Sequence, residues 1–140
     1  MKQEDKDLLL RDLCARLPYG VKVLNTAENV NEISLIDSIY FGKDTLVGLT
    51  CENDSKLTGI EMIKPYLFPL SSMTEEQKKE YNRLKHEVPV CYYEYGDVVE
   101  EIELFDSPES FEYLIKNHFD YYGLIPKELA IDCTNLNIYQ

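Results

Sequence analysis

A chain of 140 residues with a formal charge of −12 is long enough to bury one hydrophobic core and too short for two comfortable ones. The charge is uneven: residues 1–86 hold 14 acids against 12 bases, and residues 87–140 hold 12 against 2. That field excludes the basic face that displaces counterions from nucleic acid, and equally a surface for anionic membranes.

Eleven Tyr and five Phe with no Trp argue for an ordered core whose large rings are Phe and Tyr. The charged start Met1–Asp7 leads into only three leucines, so no signal peptide is expected, and no apolar run approaches the ~20 residues of a membrane span. The expectation is a cytoplasmic protein, its four cysteines (Cys14, Cys51, Cys91, Cys133) free, mostly buried thiols. They form no C-x-x-C pair and stand at no metal-ligand spacing to His86 or His118.

In chain order, residues 1–17 read as a helix capped by Asp5 or Asp7, with Leu10, Leu13, Cys14 and Leu17 on the buried face and Leu9 on its flank. Pro18 and Gly20 stop it. Residues 21–63 read as an antiparallel β meander of four short strands. Val21 and Val23 begin it, Ile33 to Phe41 and Thr45 to Cys51 flank the turn Gly42-Lys43-Asp44, and Leu57 to Ile63 completes it. Turns are expected at 25–29 and 53–55. A small SH3-like roll is compatible with that strand count.

Residues 64–73 hold Pro65 and Pro69 with Tyr66, Leu67, Phe68 and Leu70 between and beside them, a stiff and apolar crossover. Thr74-Glu75-Glu76-Gln77 is a capping box opening a helix over 74–87, with Ser72 and Glu75 as a rival register and Glu75–Lys79 as an i, i+4 pair. Pro89 ends that helix. Residues 90–105 give two further β candidates around Gly96-Asp97. In the second, Val98, Glu100, Ile102 and Leu104 share one face, and Val99, Glu101, Glu103 and Phe105 the other. Ser107-Pro108-Glu109 starts a helix over 107–118, and 119–140 is a C-terminal segment without a clear period. The fold class is α+β, a meander with three packed helices in a single domain.

Catalytic patterns are few. His118 and Asp120 could form a proton-transfer pair or half a metal site, but a histidine at a helix C-terminus beside an acid has the same spacing. The acids of 94–112 lack the spacing of a calcium loop. No catalytic, cofactor-binding or metal-binding residue is assigned and no cofactor is expected. One surface stands out: Tyr92, Tyr93 and Tyr95 with Glu100, Glu101 and Glu103 combine ring area with charge and make a candidate contact for a protein with a basic surface.

Three segments carry a resemblance: Asp12-Leu13-Cys14-Ala15-Arg16-Leu17-Pro18-Tyr19-Gly20-Val21, residues 63–76, and Asn117-His118-Phe119-Asp120-Tyr121-Tyr122-Gly123-Leu124-Ile125. With them the chain resembles a family of short, uncharacterised proteins encoded by gut bacteria and their phages or prophages. The resemblance implies a genomic setting and no activity. The functional expectation is a non-enzymatic acidic protein-binding module of a phage or mobile element. The alternatives are a nucleic-acid mimic inhibiting a host DNA- or RNA-binding or defence protein, and a small enzyme using His118 and Asp120.

Overall fold

The computed structural model describes residues 1–27, 32–52 and 54–139, so the turns expected at 25–29 and 53–55 lie partly outside the described residues. The chain is α+β and divides into two compact units, Met1–Ser72 with Ile115–Gln140, and Met73–Leu114.

The first unit opens with α1 (Gln3–Arg16), which runs into a 3-10 turn at Leu17–Tyr19. Its N-cap is Lys2 without a side-chain bond, so neither Asp5 nor Asp7 caps it; Asp7 instead accepts from the Gln3 amide at 2.9 Å. The buried face is Leu9, Asp12, Leu13 and Arg16, whereas Cys14 is exposed. The spacing is the expected i, i+3, i+4, i+7, turned by one residue because two charged side chains face inward.

Strands β1 (Lys22–Asn25), β2 (Glu32–Tyr40), β3 (Leu46–Cys51) and β4 (Asp54–Gly59) make the meander. The fourth strand thus begins at Asp54, where a turn is expected, and ends at Gly59 rather than at Ile63. A 3-10 turn at Ile60–Met62 then leads into β5 (Ile63–Leu67), which returns to pair antiparallel with β1. The sheet runs in the order β4-β3-β2-β1-β5, with the final strand (β8, Ile131–Asp132) parallel to β5 at the far edge. The first part of the expected crossover is thus a strand. Proline argues against a central strand, but Pro65, opposite Val23, lies at the end of the β5–β8 ladder, which pairs only Tyr66 and Leu67, so among the described residues no residue of β8 stands opposite it.

One face of this sheet is buried. Val23, Ile36, Val47, Leu49, Ile63 and Leu67 join Leu9 and Leu13 of α1 and Leu124, Leu129 and Ala130 of the returning segment in one core. Ile33, Leu35, Tyr40 and Leu57 remain exposed. A β-bulge at Asp37 shifts the β2–β3 register, and Ser38 then stands opposite Gly48. A Cβ at Gly48 would lie 2.0 Å from the Ser38 hydroxyl and 2.6 Å from the Asp37 carboxylate, so a larger residue there would require those two side chains to move.

The return of the chain is fixed by polar groups. Phe68 N–H donates to the His118 carbonyl and Asp120 N–H to the Phe68 carbonyl, both at 2.8 Å. Arg16, with no solvent exposure, donates through Nε (2.7 Å) and Nη2 (3.1 Å) to Asp12 and through Nη2 to the Phe119 carbonyl at 2.5 Å. The tail is anchored by Tyr139, whose hydroxyl accepts from Lys22 N–H (3.0 Å) and donates to the Tyr66 carbonyl (2.8 Å).

The second unit holds α2 (Glu75–Leu84), the strands β6 (His86–Glu94) and β7 (Asp97–Phe105), and most of α3 (Pro108–Lys116), which carries the chain back into the first unit. The capping box at Thr74 and Gln77 forms in both directions, at 3.2 and 2.9 Å. Helix α2 stops at Leu84, before Pro89, and Lys78 rather than Lys79 pairs with Glu75. Ser107 caps α3: its hydroxyl accepts from Ser110 N–H at 2.9 Å, and the Ser110 hydroxyl accepts from Ser107 N–H at 2.8 Å.

Removing one member of a fully buried ion pair leaves the other charge unanswered. Asp12→Ala should therefore cost about 3–5 kcal/mol in urea unfolding, and Asp12→Leu combined with Arg16→Met should restore most of it. A loss below about 1 kcal/mol for the single variant would show that Arg16 is not held by this pair.

Candidate functional site

The predicted contact residues lie on one long hairpin. Nine residues of β6 pair in unbroken antiparallel register with nine of β7, from His86↔Phe105 to Glu94↔Asp97. The loop is Tyr95-Gly96, one residue earlier than Gly96-Asp97, with φ of 51° and 86°. Positive φ at both positions is the type I′ turn, whose twist matches that of the strands it joins. Pro89 is tolerated inside β6 for a geometric reason. A two-residue turn closes on a hydrogen-bonded pair, so alternate pairs from Glu94↔Asp97 point their amides across the ladder, and Pro89↔Ile102 is one of the pairs that point outward.

An isolated two-stranded hairpin is marginal in water, and this one is held at its base. The Ser107 hydroxyl donates to the Leu84 carbonyl at 2.5 Å, and the Tyr81 hydroxyl donates to Asp106 at 2.6 Å. The Lys85 ammonium lies 4.2 Å from the centre of the Tyr81 ring. Towards the tip, Tyr92↔Val99 and Tyr93↔Val98 are aromatic–branched pairs of the kind that stabilise sheets.

The strand pleat separates the candidate residues. Tyr92, Glu101 and Glu103 share one face, with the Tyr92 hydroxyl donating to Glu101 at 2.9 Å, which holds the phenol above its usual pKa. Tyr93 and Glu100 lie on the opposite face with Pro89, Val98, Ile102 and Leu104. Tyr95 sits at the tip and is 98% exposed; Tyr93 is 81% and Ile102 69% exposed. The acids have no cation across the ladder: Glu103 faces Val88, Glu101 faces Val90 and Glu100 faces Cys91. Both faces of the ribbon thus present apolar and acidic side chains to water.

His118 and Asp120 do not form a pair. Both Asp120 carboxylate oxygens accept backbone amides, from Leu124 at 2.8 Å and Ile125 at 2.9 Å. His118 occupies the left-handed region (φ 65°) at the end of α3 and stacks on Tyr139 at 3.6 Å between ring centres. Burial, aided by the charges of Arg16 and Lys22, lowers its pKa to about 4, and its Nδ1 has no partner. A neutral, stacked imidazole and a spoken-for carboxylate form a structural joint. His86 is exposed at the foot of the hairpin.

Of the cysteines only Cys133 is buried, its thiol raised to about 11 mainly by burial; Cys51 is partly exposed, and Cys14 and Cys91 are exposed. That corrects the expectation of mostly buried thiols. Among the described residues no group of His, Cys, Asp and Glu is placed to hold a metal ion, and no helix is long and apolar enough to cross a membrane. A mixed-charge cleft of about 310 Å³ lies beside α1, lined among others by Lys6, Asp7, Lys43, Asp44 and Glu61. Sequence reading missed this cleft, the Asp37 bulge and the Tyr139 anchor, since each depends on residues brought together from separate strands or helices.

Comparison with known proteins adds no further constraint: no family model, curated protein or solved structure matches the chain.

A histidine whose folded pKa lies below its unfolded value of about 6.5 opposes protonation in the native state. Its contribution is complete above pH 6.5 and is lost as pH falls towards 4. Partial exposure of the ring limits the loss to on the order of 1–2 kcal/mol. Urea midpoints should fall across that window, and His118→Asn, which tolerates the left-handed backbone and does not titrate, should flatten the fall. An identical pH slope in both proteins would exclude His118 as its source.

Proposed function

We propose that this chain is a non-enzymatic protein-binding module that contacts a partner with a basic surface through its acidic, tyrosine-bearing hairpin. The observation that carries this reading is the exposure of both faces of the β6–β7 ribbon, with Tyr93, Tyr95 and Ile102 largely in water. A folded protein gains nothing by itself from such surface, and exposed apolar area rimmed by charge marks interaction sites. Tyrosine adds contact area at low entropic cost. The run from Glu87 to Glu112 contains nine acids and no base, which favours a basic partner and disfavours direct contact with nucleic acid or an anionic membrane. The resemblance to proteins of gut bacteria and their phages supports a mobile-element setting.

The test is affinity capture from host lysate on the full chain, quantified by mass spectrometry. A specific partner should be retained at low salt and released near 1 M salt, where the screening length falls to about 3 Å. Glu100→Lys, Glu101→Lys and Glu103→Lys together should abolish its retention. Because Glu100 lies on the face opposite Glu101 and Glu103, reversing it separately should weaken capture less than reversing the other two. Retention insensitive to salt and to the triple reversal would overturn the reading.

A further inference from the structure

We infer that the partner is captured by strand addition: an extended segment with alternating basic and apolar residues pairs with the free edge of β7. This rests on the proposed protein-binding function and specifies the chemistry of its partner. The ladder alternation that turns Pro89 outward also turns outward the backbone groups of Val98, Glu100, Ile102 and Leu104. Among the described residues no backbone hydrogen bond joins that edge to another segment, so β7 offers a row of unpaired donors and acceptors. The two edges of the ribbon differ. On β6 the row is interrupted by Pro89, which has no N–H to give; on β7 it contains no proline.

Side-chain order along β7 sets the complementary sequence. Asp97, Glu101 and Glu103 lie on one face, and Val98, Ile102 and Leu104 on the other, with Glu100 the one acid among them. A neighbouring strand places its alternate side chains beside these two rows. Cations on one row and branched apolar residues on the other match both. A second copy of this chain is a poor occupant, because pairing β7 with β7 brings Asp97, Glu100, Glu101 and Glu103 of both copies together without a cation between them. Main-chain bonding of this kind supplies affinity, and the flanking side chains supply selectivity.

The test uses the full chain and a blocked, fluorescein-labelled nonapeptide of alternating lysine and valine, read by fluorescence anisotropy. Two comparison peptides carry the same charge: one has alternate backbone amides N-methylated on its pairing edge, and one has glycine in place of valine. The parent peptide should bind roughly tenfold or more tightly than either, because each loses backbone bonds or apolar contact. Ile102→Pro, which removes an outward N–H at a position matching Pro89, should weaken the parent peptide by a similar factor. Its urea midpoint reports whether the hairpin survives, and the N-methyl comparison uses the unaltered protein. Equal binding of the parent and N-methylated peptides would overturn strand addition while leaving the acidic contact intact. Absence of parent-peptide binding would also overturn it. So would a dimer in sedimentation equilibrium that Ile102→Pro dissociates, since the edge would then belong to a second copy.

Discussion

A guanidinium with no access to water must have its charge answered inside the fold, and in this protein Arg16 fixes how the first unit closes. Asp12, one turn back on α1, supplies the counter-charge, and the Phe119 carbonyl takes a further N–H. Burial pushes the Asp12 carboxyl up, while the guanidinium beside it pulls the other way. The interaction therefore ties α1 to a segment 103 residues later, beside a core that both parts of the chain help to form. Phe68 completes the closure, donating its N–H to the His118 carbonyl and accepting from the Asp120 N–H. The chain thus leaves the first unit shortly after Phe68 and re-enters it shortly before His118, with residues 73–114 as an excursion between two fixed points.

Within that excursion the hairpin follows a different rule. Nearly every residue of the ribbon is exposed, so its valines and glutamates contribute little to a core. Its backbone is specified locally, by the Tyr95-Gly96 turn and by hydroxyl clamps at the foot. The contrast with the six-stranded sheet is instructive. There the Ser38 and Asp37 side chains close in on Gly48, and core side chains such as Val47 and Leu67 have no exposed surface.

Local signals in the sequence translated well into structure. The Thr74 capping box, the Ser107-Pro108 helix start, the turn after Phe41 and the alternation along Val98–Phe105 each depend on residues within a few positions of one another. Where a distant residue decided the outcome, local reading failed. The buried face of α1 is displaced by one position because Asp12 and Arg16 lie on it, Arg16 held by Asp12 and by the distant Phe119 carbonyl. Pro65 read as a crossover because nothing nearby shows that β8 is too short to need its missing N–H. The hairpin residues were recognisable as a group from tyrosine and charge. Their division between two faces and a tip required the register with β6. Tyr139 gave no signal at all, standing alone in a polar tail while its partners are Lys22 and Tyr66.

The central claim is that β7 is a free edge built for a basic, extended partner, and a residue-by-residue readout tests it most directly. Backbone amide resonances of the full chain would be followed by NMR during titration with the lysine–valine nonapeptide. The account requires the largest shifts, and new protection from solvent exchange, at the outward amides of Val98, Glu100, Ile102 and Leu104. The amides of Val99, Glu101 and Glu103, already turned towards β6, should keep the protection they have. Shifts centred instead on the exposed sheet residues Ile33, Leu35 and Leu57, with β7 unchanged, would contradict it.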